Sequence, residues 1–421
     1  MRIAVGYLIF TAATFVVAPF ATTVQNLLEL IAYSLVCWAA FAAGGRYGAW
    51  SYVAPGANPS TSNKTGKWLT ILSIYTIAIT VATLEANGHL TGLQDTITSI
   101  LTPGESYFRK FETAEALAGS ASFVGQINTI LAALPLLLMP MAVVNWTSIP
   151  TSVKIVAATA ILTRTLSGLL TGTMVDIALV ILEIAIGFLY LSRTGQLNPK
   201  LVGRSRTIIT TSALAFLTYG SYTQVARMEH LGLAPWVDGS LIGYHSDNLL
   251  VPILGGQAAY GLNSLLYYMN HGYEGLAQCL SLPDLDWMYG LGHSRALMEY
   301  AEQYLGWHWI WDQHPLWKNQ AITGRDPLMV WSTAIPWLAA DLTFWGVPLA
   351  LYAFGYLYSR TWKVSLVTAN PIALALFAKL AVFVLFLPAN NQIFQSRGMW
   401  WGTMLLTALY VLSRRRTHRD Q

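Results

Sequence analysis

Apolar runs broken by polar or Pro/Gly-rich joints recur along the whole chain. A helix crosses a hydrocarbon core with about 20 mostly apolar residues, and about ten segments approach that length. They are Ala4 to Phe20, Val24 to Ala43, Trp68 to Ala86, Phe123 to Val144, Ser152 to Leu166, Leu170 to Leu191, Thr207 to Val225, Leu338 to Tyr358, Ile372 to Leu387 and Met399 to Leu412. The pattern predicts an all-α polytopic membrane protein, residues 1–421 forming one membrane domain. Two segments between the apolar runs are long and polar. Residues 87–122 make the smaller loop, and residues 227–337 make a large, mostly helical loop inserted before the eighth span. Loops of that length with helical patterning of their own are more often functional than mere connections.

Within 328–358 the apolar stretch exceeds one span. Proline removes a backbone hydrogen bond inside a helix, so Pro336 is expected to interrupt it, leaving an interfacial or re-entrant piece before Leu338 and Asp341 near the mouth of the true span. Composition agrees with lipid as the solvent: 54% of the 421 residues are hydrophobic, 10% are charged, and the mean hydropathy is +0.47. A soluble globule or a nucleic-acid-binding protein is not expected from such a chain.

Charge placement orients the spans. With a cytoplasmic N-terminus, most of the 24 basic residues fall on one side, among them Arg2, Arg46, Lys64, Lys67, Lys154, Arg193, Arg204, Arg360, Lys363 and the run Arg414 to Arg416. That is the positive-inside arrangement, with both termini cytoplasmic and both long loops outside. Met1 to Thr23 also fits a cleaved signal peptide, but its apolar core is long and its removal inverts every later loop. Cys37 in a span and Cys279 in a loop are not expected to pair, and neither has metal-ligand neighbours. Ionisable groups inside spans mark partners or pathways; Glu183 and Lys379, each near the middle of its span, are expected to pair with each other.

The large loop is dense in aromatic and titratable side chains and holds six of the eight histidines, counting His230, His245, His271, His293, His308 and His314. Trp and Tyr there suit an interfacial belt or a sugar-stacking surface. Basic residues left outside need a reason to be there. Arg164 is expected in a tight turn between two spans, with Arg227 and Arg325 flanking the same external vestibule, where arginine's planar fork suits phosphate. Alternatively these arginines pair with carboxylates or lipid headgroups.

Several stretches together resemble the O-antigen polymerase, or oligosaccharide repeat-unit polymerase, family. These are the short-turn Arg164, the long external loop, the run Trp331-Ser-Thr-Ala-Ile-Pro336-Trp-Leu-Ala-Ala-Asp341-Leu-Thr-Phe-Trp-Gly346, the stretch Tyr267-Tyr-Met-Asn270-His271-Gly-Tyr273-Glu-Gly275-Leu, and Pro388-Ala-Asn390-Asn391-Gln-Ile-Phe-Gln-Ser396. Family members often carry Asp-Phe-Gly where this chain has Asp341-Leu342-Thr343. The resemblance implies a cofactor- and metal-independent glycosyltransferase of the bacterial inner membrane, working on its periplasmic face. Its partners are undecaprenyl-pyrophosphate-linked glycan donor and acceptor, the lipid bilayer, and a flippase and chain-length regulator.

On that reading Arg164, Arg227 and Arg325, then Arg295 and Arg397, would hold pyrophosphate. His271, His245 or Asp341 would act as the base, and Tyr268 and Tyr273 would stack on sugar. An O-antigen ligase-type transferase shares the architecture, and a transporter or flippase of lipid-linked sugars is the rival from another class. A metal-dependent transferase ranks low because the loop Ala21-Thr-Thr23 holds no carboxylate.

Overall fold

The computed structural model describes residues 1–17, 26–51, 63–86, 97–116, 127–230 and 251–419, apart from 99, 128, 198 and 329, together with the single residues 24, 53 and 89. In chain order its helices are α1 (Arg2–Val17), α2 (Leu27–Trp50), α3 (Asn63–Ala86), α4 (Pro103–Ala116), α5 (Ala133–Val144), α6 (Thr151–Leu170), α7 (Met174–Arg193) and α8 (Pro199–His230). A single helical turn, Val251–Leu254, precedes α9 (Gly256–Asn270), α10 (Gly272–Leu280), α11 (Arg295–Leu305), α12 (Trp309–Gln313), α13 (Pro315–Thr323), α14 (Ala334–Thr368), α15 (Pro371–Phe386) and α16 (Arg397–Arg419).

All regular structure among the described residues is helical, and five helices are long and apolar enough to cross a membrane: α2, α3 over Thr65–Glu85, α6, α7 and α14. This is a multi-pass pattern, but it is not ten spans. Each expected span overlaps a helix, and over the described residues α1, α5 and α15 are 16, 12 and 16 residues long. At 1.5 Å per residue these reach about 18 to 24 Å, short of a ~30 Å hydrocarbon core. Apolar side chains left outward on the long helices, such as Trp345 at 94% exposure and Leu28 at 83%, are those lipid can cover.

The chain divides into two compact units. One comprises Pro55–Leu265 with Ser365–Ala378 and Leu409–Gln421. Its core joins Leu69 and Leu72 of α3, Leu138 and Ala142 of α5, and Ala157 and Ala160 of α6. The turn between α6 and α7 is made by Gly172, whose φ of +59° suits glycine. A Cβ there would lie 2.5 Å from the carbonyl oxygen of Pro103, so α4 starts in direct backbone contact with this turn.

The other unit comprises Met1–Ala54, Leu266–Val364 and Lys379–Ala408. Here α2 and α14 run parallel along a seam of glycines. A Cβ on Gly44 would sit 1.9 Å from the carbonyl oxygen of Tyr352, one on Gly48 2.3 Å from that of Tyr356, and one on Gly355 2.0 Å from that of Phe41. Small residues at such spacing let backbones of membrane helices approach and gain packing. The seam begins where the Tyr33 hydroxyl donates to the Phe344 carbonyl. It ends where Arg360 and Lys363 donate to the last carbonyls of α2, at Ala49 and Ser51, placing cations at the negative end of that helix dipole.

Helix α14 is interrupted, but not at Pro336. That proline lies in the first turn of the helix, where no backbone donor is lost to the ladder. The break comes at Thr343, with φ 55° and ψ 168°, a region that is costly for any residue with a Cβ. The segment before the break, containing Asp341, is therefore a separate short helix in the same unit as residues 266–337 of the large loop.

Candidate functional site

Asp341 stands two residues before the break in α14, and its neighbour Ala340 accepts the backbone N–H of Met288 at 3.2 Å. This pins the loop between α10 and α11 against the kinked helix. The Asp341 carboxylate then receives three donors from that loop: the backbone N–H of Gly292 at 3.1 Å, the backbone N–H of His293 at 2.8 Å, and Nδ1 of His293 at 2.9 Å. A carboxylate has only acceptor capacity, so Nδ1 carries the proton and Nε2 bears the lone pair in the neutral ring. The carboxylate is 8% exposed and the imidazole 25%. The anchor is buried and the ring reaches solvent.

Further groups fix the ring. Phe394 meets it edge-on at 5.2 Å, Asn391 donates to the His293 carbonyl at 2.7 Å, and Ser294 donates to the Phe394 carbonyl at 2.9 Å while capping α11. Behind the loop lies a second histidine of opposite character. His314 is fully buried between Trp317 and Trp337, donates Nε2–H to the Gly292 carbonyl at 3.1 Å and accepts the Leu316 N–H at Nδ1. Burial pushes its pKa down to about 3. His314 is a neutral strut beneath His293.

Arg295, in the first turn of α11, and Arg397, at the start of α16, share Glu299 at 3.0 and 3.3 Å. Arg397 also donates to Gln303 and lies 4.6 Å over the Tyr300 ring. Two guanidiniums to one carboxylate leave a net positive charge on a half-exposed surface next in sequence to the His293 loop on one side and to Phe394 on the other.

The remaining expected site residues are placed differently. Arg325 pairs with Glu274 at 2.8 Å and donates to the carbonyls of His271 and Trp331. His271 is buried, its Nδ1 2.8 Å from the Tyr267 carbonyl and its ring stacked on Tyr267. Tyr273 is buried too; its hydroxyl is 3.0 Å from Thr11 and its ring lies on Phe15. It packs the interior instead of offering a face to a sugar, and burial raises its pKa. The side chain of Tyr268 and the whole of His245 lie outside the described residues.

Arg164 is not in a turn. It sits inside α6, and its guanidinium grips both oxygens of Glu183 at 2.8 and 3.2 Å. The planar fork outcompetes an ammonium for a carboxylate held in one geometry, so Glu183 is not paired with Lys379. The Lys379 ammonium lies in the other unit, 2.8 Å from the Met399 sulfur. Arg227 is buried, donating to the Gly172 carbonyl at 2.7 Å with its guanidinium 3.7 Å over the Tyr107 ring. It ties α8 to α4 and the α6–α7 turn. The three arginines expected around one vestibule are thus divided: Arg164 and Arg227 belong to one unit and Arg325 to the other.

Sequence reasoning selected Asp341, Arg295 and Arg397 but passed over His293. Its signal was the loop Gly290-Leu-Gly292-His293-Ser294, glycines on either side of a turn followed by a helix cap. Among six histidines in one loop nothing local ranked it first. Compared with protein-family models, with curated proteins and with solved structures, the chain matches none.

Proposed function

We propose that the chain is a membrane-embedded glycosyltransferase that polymerises undecaprenyl-pyrophosphate-linked oligosaccharide repeat units on the periplasmic face of a bacterial inner membrane. The observation that carries this reading is the His293–Asp341 pair. An imidazole oriented by a buried carboxylate and itself partly exposed is suited to take a proton. In the reaction, the acceptor hydroxyl gives its proton to Nε2 of His293 while its oxygen bonds to the anomeric carbon of the donor. The bond from that carbon to the pyrophosphate oxygen breaks, and the carrier leaves with the electron pair. Arg295 and Arg397, which share Glu299 and lie close in sequence to His293 and Phe394, would offset with their positive charge the charge growing on the departing oxygen.

Sidedness supports the same reading. Arg46, Arg360 and Lys363 gather at one end of the α2–α14 seam, and Asp341 lies at the other. From Thr343 to Lys363 the helix rises about 30 Å, the thickness of a hydrocarbon core. With the basic end cytoplasmic, the His293–Asp341 pair faces out, the side that the proposed periplasmic reaction requires.

The test is polymer formation by purified protein in detergent, given lipid-linked repeat units and no ion gradient. The wild type produces a ladder of lengths; His293→Ala and Asp341→Asn lower its rate by 100-fold or more, in line with loss of a general base. A ladder unchanged in both variants overturns the assignment of the pair. Transfer of finished polymer to another acceptor, with no ladder, would make the enzyme a ligase, and movement of lipid-linked sugar without any joining would make it a flippase.

A further inference from the structure

The loop that carries His293 also carries a group of aromatic rings that the proton transfer does not use. Trp287 and Tyr289 are each 61% exposed, although Met288 between them is fully buried beside Cys279, Trp337 and Ala340. Their rings lie 4.7 Å apart. Tyr289 meets Trp309 of α12 edge-on at 6.3 Å, and Trp309 lies 5.5 Å from Trp307.

The exposed pair is held out by strained backbone. Tyr289 has a φ of 57° and Gly290 one of 79°, a left-handed sequence that glycine tolerates and tyrosine resists. Strain of this kind persists where the surroundings hold it, and it clusters at ligand sites.

We infer that Trp287, Tyr289 and Trp309 form a platform that binds pyranose rings of the glycan, four to six residues along the same loop from the proposed base in the case of the first two. This rests on the proposed function and adds to it the place where sugar is held. The alternating polar and apolar faces of a pyranose fit such a surface. Its C–H face lies on an aromatic ring, and its hydroxyls reach acceptors at the rim.

Exposed carboxylates lie close to these rings in sequence. Asp284 and Asp286 belong to the same loop and are exposed, with Asp286 held by Lys318 at 2.7 Å, and Asp312 is exposed three residues beyond Trp309. The same carboxylates argue against burial of the rings in a bilayer interface, because anionic headgroups repel them and a belt of tryptophans needs no fixed mutual geometry.

The probe is the oligosaccharide released by mild acid from the host's own polyprenyl-linked pool, presented without lipid to purified protein in detergent. Saturation transfer from aromatic protons to sugar ring protons is expected for the wild type, with affinity at least tenfold weaker in Trp287→Ala and in Tyr289→Gly. The glycine variant removes the ring while relieving the backbone, so its thermal stability is unchanged or higher. Loss of binding there is not unfolding.

Affinity within twofold of wild type in both variants, no transfer in the wild type, or quenching of Trp287 by brominated lipid tails would each overturn the platform. The ladder assay separates the two proposals. Normal polymer from variants with normal sugar binding removes the platform and leaves the enzyme. Platform-dependent binding by a wild type that never joins repeat units keeps the platform and removes the polymerase.

Discussion

His293 and His314 are 21 positions apart, and His314 donates to the carbonyl of Gly292 next to His293, yet they differ in what their environment permits. His293 keeps part of its ring in solvent and leans on Asp341. His314 is sealed between tryptophans, and its ring nitrogens are both committed to backbone. With a folded pKa of about 3 against an ordinary 6.5, the unfolded chain binds a proton that the folded one refuses across that interval. Stability from this group is therefore complete above pH 6.5 and falls as pH drops towards 3, by up to about 1.4 kcal/mol per pH unit. Between pH 6.5 and 5, before most carboxylates titrate, the melting temperature of the wild type in detergent should decline more steeply than that of His314→Gln. Equal slopes would show that His314 accepts its proton in the folded state.

At the scale of elements, the glycine seam between α2 and α14 brings the backbone of one helix against that of the other. A methyl group at Gly44, Gly48 or Gly355 has nowhere to go, because the opposing atoms are carbonyl oxygens of a regular helix and not ends of flexible side chains. Overpacking of this kind costs about 1–3 kcal/mol. Gly48→Ala should thus lower the melting temperature, and Gly48→Leu should prevent stable accumulation of the protein. Gly203, inside α8 with open space around its α-carbon, provides the control: Gly203→Ala should be neutral or stabilise by about 0.5–1 kcal/mol through helix propensity. The same seam runs along α14 from its basic end towards the Thr343 break, two residues beyond Asp341.

For the whole molecule the decisive quantity is how many helices cross the bilayer and in which sense. Both native cysteines are buried and unpaired, which leaves a quiet background for labelling. Asp312→Cys in α12 should react with a membrane-impermeant maleimide in intact cells with a permeable outer envelope. Trp50→Cys, at the exposed end of α2 beside Arg360 and Lys363, should react only after lysis. The reverse pattern would invert the orientation and place the His293–Asp341 pair in the cytoplasm, where a polymerase of flipped repeat units does not act.

What the linear chain determined is what depends on solvent and on local pattern: helices wherever apolar residues run together, a lipid environment for several of them, and a polar loop rich in aromatic and titratable groups between two apolar regions. Hydropathy reads these because burial in lipid acts on each segment separately. It overstated the spans, since five helices among the described residues are long and apolar enough to cross a membrane where ten were expected. Tertiary structure decided the rest. Arg164 found Glu183 across a helix pair, Tyr273 turned inward to Thr11, and Asp341 met both the ring and the backbone of His293. Such pairings depend on two or three segments meeting in space, at ångström distances no spacing along the chain encodes.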